Sequence, residues 1–114
     1  MTELRAPTFD PELPTDDRLT MLCPCCESDY THHGRVEVYN RGEDSLDGLH
    51  VSVGLSDVRA DTDLSGNPSD RRHGLRIRMS CEACGQTSWL VIAQHKGQTH
   101  VWCEVDSAEA TEWE

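Results

Sequence analysis

Two Cys-x-x-Cys pairs constrain this chain more than any other feature of it. Cys23-Pro24-Cys25-Cys26 and Cys81-Glu82-Ala83-Cys84 each hold two thiols at the spacing that lets both sulfurs of a tight turn point at one ion. Two such turns facing each other complete a closed tetrahedral four-cysteine site, the geometry of structural zinc, with Cys23, Cys26, Cys81 and Cys84 as ligands. Gly85 suits the second turn, because the residue after such a knuckle often needs a positive φ. Pro24 stiffens the first by fixing one φ. Ligand thiols bind deprotonated, so four of them around Zn²⁺ leave a formal charge of about −2, which Arg76 and Arg78 just upstream are placed to offset.

The pattern departs from the simplest form in three ways. Residues 27–80 separate the pairs, a longer spacer than usual, so an extra hairpin and loop must be inserted between the knuckles. The first knuckle carries Glu27 where the second has Gly85. Cys25 could compete with Cys23 or Cys26; spacing favours the outer pair, since adjacent residues of a turn rarely reach one ion together.

A disulfide framework is the rival reading of six cysteines in 114 residues. It wants a secretory context, and the N-terminus has neither a basic n-region nor an apolar h-region. The longest strongly apolar run, Trp89 to Ala93, is far too short to span a bilayer. The chain therefore reads as cytoplasmic, where thiols stay reduced and paired cysteines hold metal. A composition only 5% aromatic also predicts a thin core, and a domain this short commonly needs such a staple.

The net charge of −11 is unevenly spread. Residues 1–18 combine Glu3, Asp10, Glu12, Asp16 and Asp17 with three prolines and read as a disordered acidic arm. Residues 105–114 read as an acidic tail, with Trp113 packed back or exposed. The body, 19–104, is the folded domain. Within it, strand character appears at 33–40, 49–55, 74–80, 89–95 and 99–105. The clearest alternation puts Leu49, Val51, Val53 and Leu55 on one face, and Leu75, Ile77 and Met79 inward with Arg76 and Arg78 outward. Lys96-Gly97-Gln98 signals a hairpin, and residues 40–48 a second. No stretch has helical period. The expectation is a small all-β, zinc-ribbon-like antiparallel sheet of about five strands, with a polar loop at 56–72 that is either mobile or functional.

The segments Asn67-Pro-Ser-Asp-Arg-Arg-His-Gly-Leu-Arg-Ile77, Ser80-Cys-Glu-Ala-Cys-Gly85 and Ile92-Ala-Gln-His-Lys-Gly-Gln-Thr99, with the first knuckle, resemble small zinc-ribbon proteins of actinobacteria and their phages. The resemblance covers about residues 19–104. It implies a fold and a metal and hands over no activity.

Histidines, the two remaining cysteines and the arginines are the other groups able to do chemistry. Four cysteines satisfy zinc, so His32, His33, His50, His73, His95 and His100 are surplus to it. No deaminase, zincin, nucleophile-elbow or phosphate-loop signature is present, and the chain reads as non-enzymatic. Cys103, in an apolar strand, reads as a buried thiol. Arg71, Arg72, Arg76 and Arg78 form the one basic cluster and would contact phosphates or a partner if they lie in one exposed stripe. The function expected is a structural-zinc module that mediates protein interaction, as an accessory or inhibitory factor of a phage or mobile element. The alternative is a nucleic-acid-binding ribbon using Arg71 to Arg78. A homodimer is open to the chain as well, because a small open sheet leaves strand edges unpaired.

Overall fold

The computed structural model describes residues 2–12 and 14–106. Among them lie nine strands and no helix: β1 (Thr2–Arg5), β2 (Phe9–Asp10), β3 (Thr20–Met21), β4 (Thr31–Arg41), β5 (Gly48–Val53), β6 (Val58–Asp61), β7 (Gly74–Cys81), β8 (Thr87–His95) and β9 (Gln98–Asp106). Hence no helix there is long and apolar enough to cross a membrane. Seven strands form one antiparallel sheet in the order β1-β9-β8-β7-β4-β5-β6, and β2 pairs with β3 apart from it.

Two three-strand meanders, β4-β5-β6 and β7-β8-β9, are joined edge to edge where β4 pairs with β7. The hairpin expected after β8 is a two-residue turn, Lys96 at φ 49° and Gly97 at φ 80°, the both-positive geometry whose twist matches the flanking strands. A register shift between His33 and Val36 marks a bulge in β4 that turns Arg35 toward Ser52 and Asp57.

The expected five strands correspond to β4, β5, β7, β8 and β9, and the strand count is larger than five. Residues 2–5 are no free arm: they hydrogen-bond to β9 as an edge strand. β6 comes out of the segment expected as loop 56–72 and extends the β4-β5 hairpin. Its alternation, Val58 and Ala60 against Arg59 and Asp61, runs for only four residues within a polar stretch, too short to mark a strand. The acidic tail expected at 105–114 is described only at Val105 and Asp106, which belong to β9; the remainder, with Trp113, lies outside the described residues.

Register separates the sheet into two unlike faces. On one, Val101, Ile92, Leu75, Val38, Val51 and Ala60 lie side by side across six strands, and beside them Cys103, Leu90, Ile77, Val36, Val53 and Val58 form a second row. On the other, Trp102, Val91, Arg76, Glu37, Ser52 and Arg59 make one row, next to His100, Ala93, Gly74, Tyr39, His50 and Asp61. Both faces are buried in part: Val91, Ala93, Tyr39 and Ser52 on the second, and on the first Cys103 within the rows and Met79, Ser88 and Val105 in the next row toward the knuckles. Long amphipathic side chains close the polar face, with the Arg76 and Arg78 guanidinium groups 4.7 and 5.0 Å from the Trp89 ring centroid and Tyr39 stacked on His50 at 4.5 Å.

The return loop 62–73 adds to this cover. Ser69, only 4% exposed, is its hub: its hydroxyl donates to the Gln94 carbonyl (2.6 Å) and accepts from the N–H groups of Arg71 (3.2 Å) and Arg72 (2.9 Å). Asn67 accepts from the Ser69 N–H and donates to the Arg72 carbonyl. The segment read as mobile or functional is therefore a strand followed by a hydrogen-bonded loop.

Candidate metal centre

The second knuckle is the β7-β8 turn, and the first is the loop after β3. The two share one backbone scheme. In the first, the Cys23 N–H donates to the Ser28 carbonyl (2.8 Å) and the Glu27 N–H to the Cys23 carbonyl (2.9 Å). In the second, the Cys81 N–H donates to the Gln86 carbonyl (3.1 Å) and the Gly85 N–H to the Cys81 carbonyl (3.0 Å). Within each turn an N–H also points at a sulfur: Cys25 N–H to Cys23 Sγ at 3.3 Å and Cys84 N–H to Cys81 Sγ at 3.5 Å. The Glu82 N–H to Tyr30 carbonyl bond (3.0 Å) ties one knuckle to the chain leaving the other. Arg5 of β1 donates to the Pro24 carbonyl, so the edge strand helps to seat the first turn.

This brings Cys23, Cys26, Cys81 and Cys84 together with their sulfurs within 4.8 Å of one another, a group that could hold a metal ion. Cys23 and Cys84 sulfurs are 3.8 Å apart, and those of Cys26 and Cys81 3.6 Å. A tetrahedron with Zn–S bonds of about 2.3 Å has edges of about 3.8 Å, so these separations fit an ion of that size. Cys23 and Cys81 are buried, Cys84 half-buried and Cys26 exposed.

The thiols are electrostatically unequal. Burial works to raise Cys81, but the N–H groups of Cys84 and Ala83 and the Cys26 and Cys23 thiols bring it down to about 7. At Cys26 the Ser28 N–H lowers the pKa, yet desolvation and the surrounding sulfurs push it up to about 12. Cys84 is raised as well, by burial first. One thiolate is thus accommodated by the turns alone, and four require a cation.

Cys25 stands outside the cluster. It contributes its N–H to Cys23 while burial, and then the Cys23 sulfur, raise its own thiol, which opposes the nucleophilic thiolate a redox role needs. Cys103 is 1% exposed with its pKa raised by burial, as a buried thiol on an apolar strand should be.

The four arginines do not form one stripe. Arg71 bonds Glu43 (3.3 Å) and Asp44 (3.1 Å) of the β4-β5 loop, and Arg72 lies 3.9 Å from Glu43. Arg76 pairs with Glu104, which also accepts from the Trp102 indole (3.1 Å), and Arg78 donates to Thr87 Oγ1 (2.6 Å). The cluster is divided into a loop pair and a sheet pair, each close to its own partners.

Sequence reasoning missed a polar network on the same face. His50 bridges Glu37 (2.6 Å) and Asp61 (2.9 Å), and Ser52 donates to Glu37 (2.7 Å) while accepting from Arg35 (2.6 Å). Alternation already placed His50 and Ser52 opposite Val51, but only the strand order reveals which carboxylates flank them. The other histidines have ordinary settings: His32 pairs with Glu82, His33 is exposed, and His73 Nδ1 accepts the Arg41 N–H (3.1 Å). His95 and His100 stack at 5.9 Å beside Asp70 in a surface cleft of about 340 Å³. That cleft sits at the β8-β9 turn, the opposite end of the sheet from the cysteines.

No protein-family model, no curated protein and no solved structure matches this chain.

Proposed function

We propose that the chain is a non-enzymatic, zinc-stapled module of the zinc-ribbon kind whose exposed sheet engages another protein. The sulfur cluster carries this reading. Its edges of 3.6 and 3.8 Å suit Zn²⁺, and its four thiolates fill a tetrahedral shell, which leaves no position for the water or substrate of a catalytic zinc. The metal would hold the first knuckle, which has little sheet of its own, onto the β7-β8 turn. The ligands are Cys23, Cys26, Cys81 and Cys84, and in such domains metal affinity is largely folding free energy.

Native mass spectrometry with and without a strong chelator tests this. One zinc per chain, with compact charge states lost on chelation, is the expected result. A metal-free chain of unchanged compactness would refute it.

The nucleic-acid alternative has weaker support, since the acidic partners of Arg71, Arg72 and Arg76 already occupy the charges it would use. Binding that falls steeply with salt would favour it over the protein-interaction reading.

A further inference from the structure

Among the described residues, no second sheet larger than the β2-β3 pair is there to pack on the two aliphatic rows. A sheet whose one face is aliphatic is stable when a second layer covers that face. Here the end nearest the knuckles is covered, with Cys103, Met79, Ser88 and Val105 all buried, while Val101 is 45% exposed, Val53 40% and Val58 69%. Across six strands at about 4.8 Å spacing, two rows with their flanks cover roughly 400 Å² in plan, and a stable interface takes about 800 Å² from each partner, polar rim included. The face can therefore supply the dry centre of such an interface.

We infer that this face packs against the same face of a second copy of the chain, making a two-sheet sandwich about a twofold axis. The chemistry of the rows selects the occupant. From β9 to β6 neither row holds a charged side chain, and at the β1 edge of the same face Arg5 and Glu3 neutralise each other in an ion pair of 2.8 Å, so a partner chosen by net charge finds little there to read. A flat aliphatic sheet is self-complementary, and two of them pack at about 10 Å with strands roughly 30° apart. Acids that give the chain its net charge of −11 lie off this face, among them Glu43, Asp44 and Asp47 in the β4-β5 loop and Glu37, Asp61 and Glu104 on the opposite face, while Glu3 at the β1 edge is matched by Arg5. Two copies repel at long range and attract at contact, so salt should strengthen their association. A basic partner would show the reverse.

This inference rests on the reading of the chain as a metal-stapled binding module, and the two can fail separately. Sedimentation velocity of the purified protein from about 1 to 100 µM, at low and high salt, is run with zinc content measured on the same samples. The expected result is a species of twice 12.8 kDa that tightens with salt. Val53→Glu and Val101→Glu, at exposed positions of two different strands, should each weaken the dimer at least tenfold with zinc retained, because each buries a carboxylate. Leu46→Glu, in a loop where the side chain is 92% exposed, adds the same charge off the face and should change nothing. A zinc-loaded monomer throughout the range overturns the dimer and leaves the module standing. A dimer indifferent to both face variants overturns this face as its seat.

Discussion

Glu27 and Gly85 occupy the same position in the two knuckles. Each follows a second ligand cysteine, each donates its N–H to the carbonyl of the first, and each is left-handed, with φ of 66° and 73°. Gly85 takes this conformation freely, and Glu27 does not, because its Cβ crowds the following carbonyl. Glutamate in the left-handed region costs about 1–2 kcal/mol, offset in part by the greater entropy a glycine loses on folding. Glu27→Gly should therefore stabilise the folded protein by about 0.5–1 kcal/mol without changing metal stoichiometry, read as a higher denaturant midpoint at unchanged slope. No gain would mean that the Glu27 side chain has a compensating role.

Ser69 fixes the return loop, and its removal has a calculable direction. Ser69→Ala leaves the Gln94 carbonyl and the Arg71 and Arg72 N–H groups without the partner they share in a buried position. The expected loss is about 2 kcal/mol, within the range for stranding a buried polar group. Hydrogen exchange should localise it, with protection falling first at Arg71 and Arg72 and the β4-β5 pairing little affected.

Gly74 tests the same loop sterically. A Cβ there would come within 2.2 Å of Asn67 Oδ1 and 2.6 Å of Pro68 Cδ. Asn67 is anchored at both ends of its amide and proline cannot bend away, so the loop must lift. Gly74→Ala should cost about 1–3 kcal/mol, as overpacking usually does, in thermal or denaturant unfolding. Full stability would show that the loop sits farther from β7.

His50 gives the stability curve a pH signature. Partial burial lowers its pKa, but hydrogen bonds to Glu37 and Asp61, with their charges, outweigh that and raise it above the ordinary value. The imidazolium therefore binds its proton more tightly folded than unfolded. Its stabilising contribution is full below the unfolded pKa of about 6.5 and is lost as pH rises through the folded value. His50→Gln should remove that component, so the stability difference from wild type shrinks as pH rises from about 6 upward. Asp61→Asn should move the His50 midpoint, followed by NMR, back toward about 6.5. A midpoint unmoved by Asp61→Asn would dissociate the two.

Much of this architecture was legible because alternation is a local signal. Val51 and Val53, or Leu75, Ile77 and Met79, point to one side whatever the neighbouring strands are. Alternation separates two faces but does not say which is covered. Arg76 and Arg78 have the pattern of a solvent side, yet both lie over the Trp89 ring. β6 was missed because Val58-Arg-Ala-Asp61 is an exposed edge strand whose alternation spans only four residues in a polar stretch, and backbone pairing supplies the rest. β1 was hidden by its acidic, proline-rich surroundings. The cysteines were readable for the opposite reason: a two-residue spacing sets sulfur directions within a single turn.

That same turn makes a sharp distinction among cysteines. Cys25 is adjacent to Cys26 in sequence but lies outside the sulfur cluster, its part in the site being an N–H donated to Cys23 Sγ. Serine at position 25 keeps that N–H, so Cys25→Ser should retain one zinc and near-native stability. Serine at Cys23, Cys26, Cys81 or Cys84 replaces a thiolate with a poor ligand. Metal binding in small zinc domains contributes about 10–16 kcal/mol, comparable with or greater than the about 5–15 kcal/mol by which a domain is folded at all. Each of those four variants should therefore be largely unfolded, as should the wild type in excess chelator. Zinc stoichiometry and far-UV circular dichroism on all five proteins measure the contrast, and a Cys25→Ser variant that lost its metal would place Cys25 among the ligands.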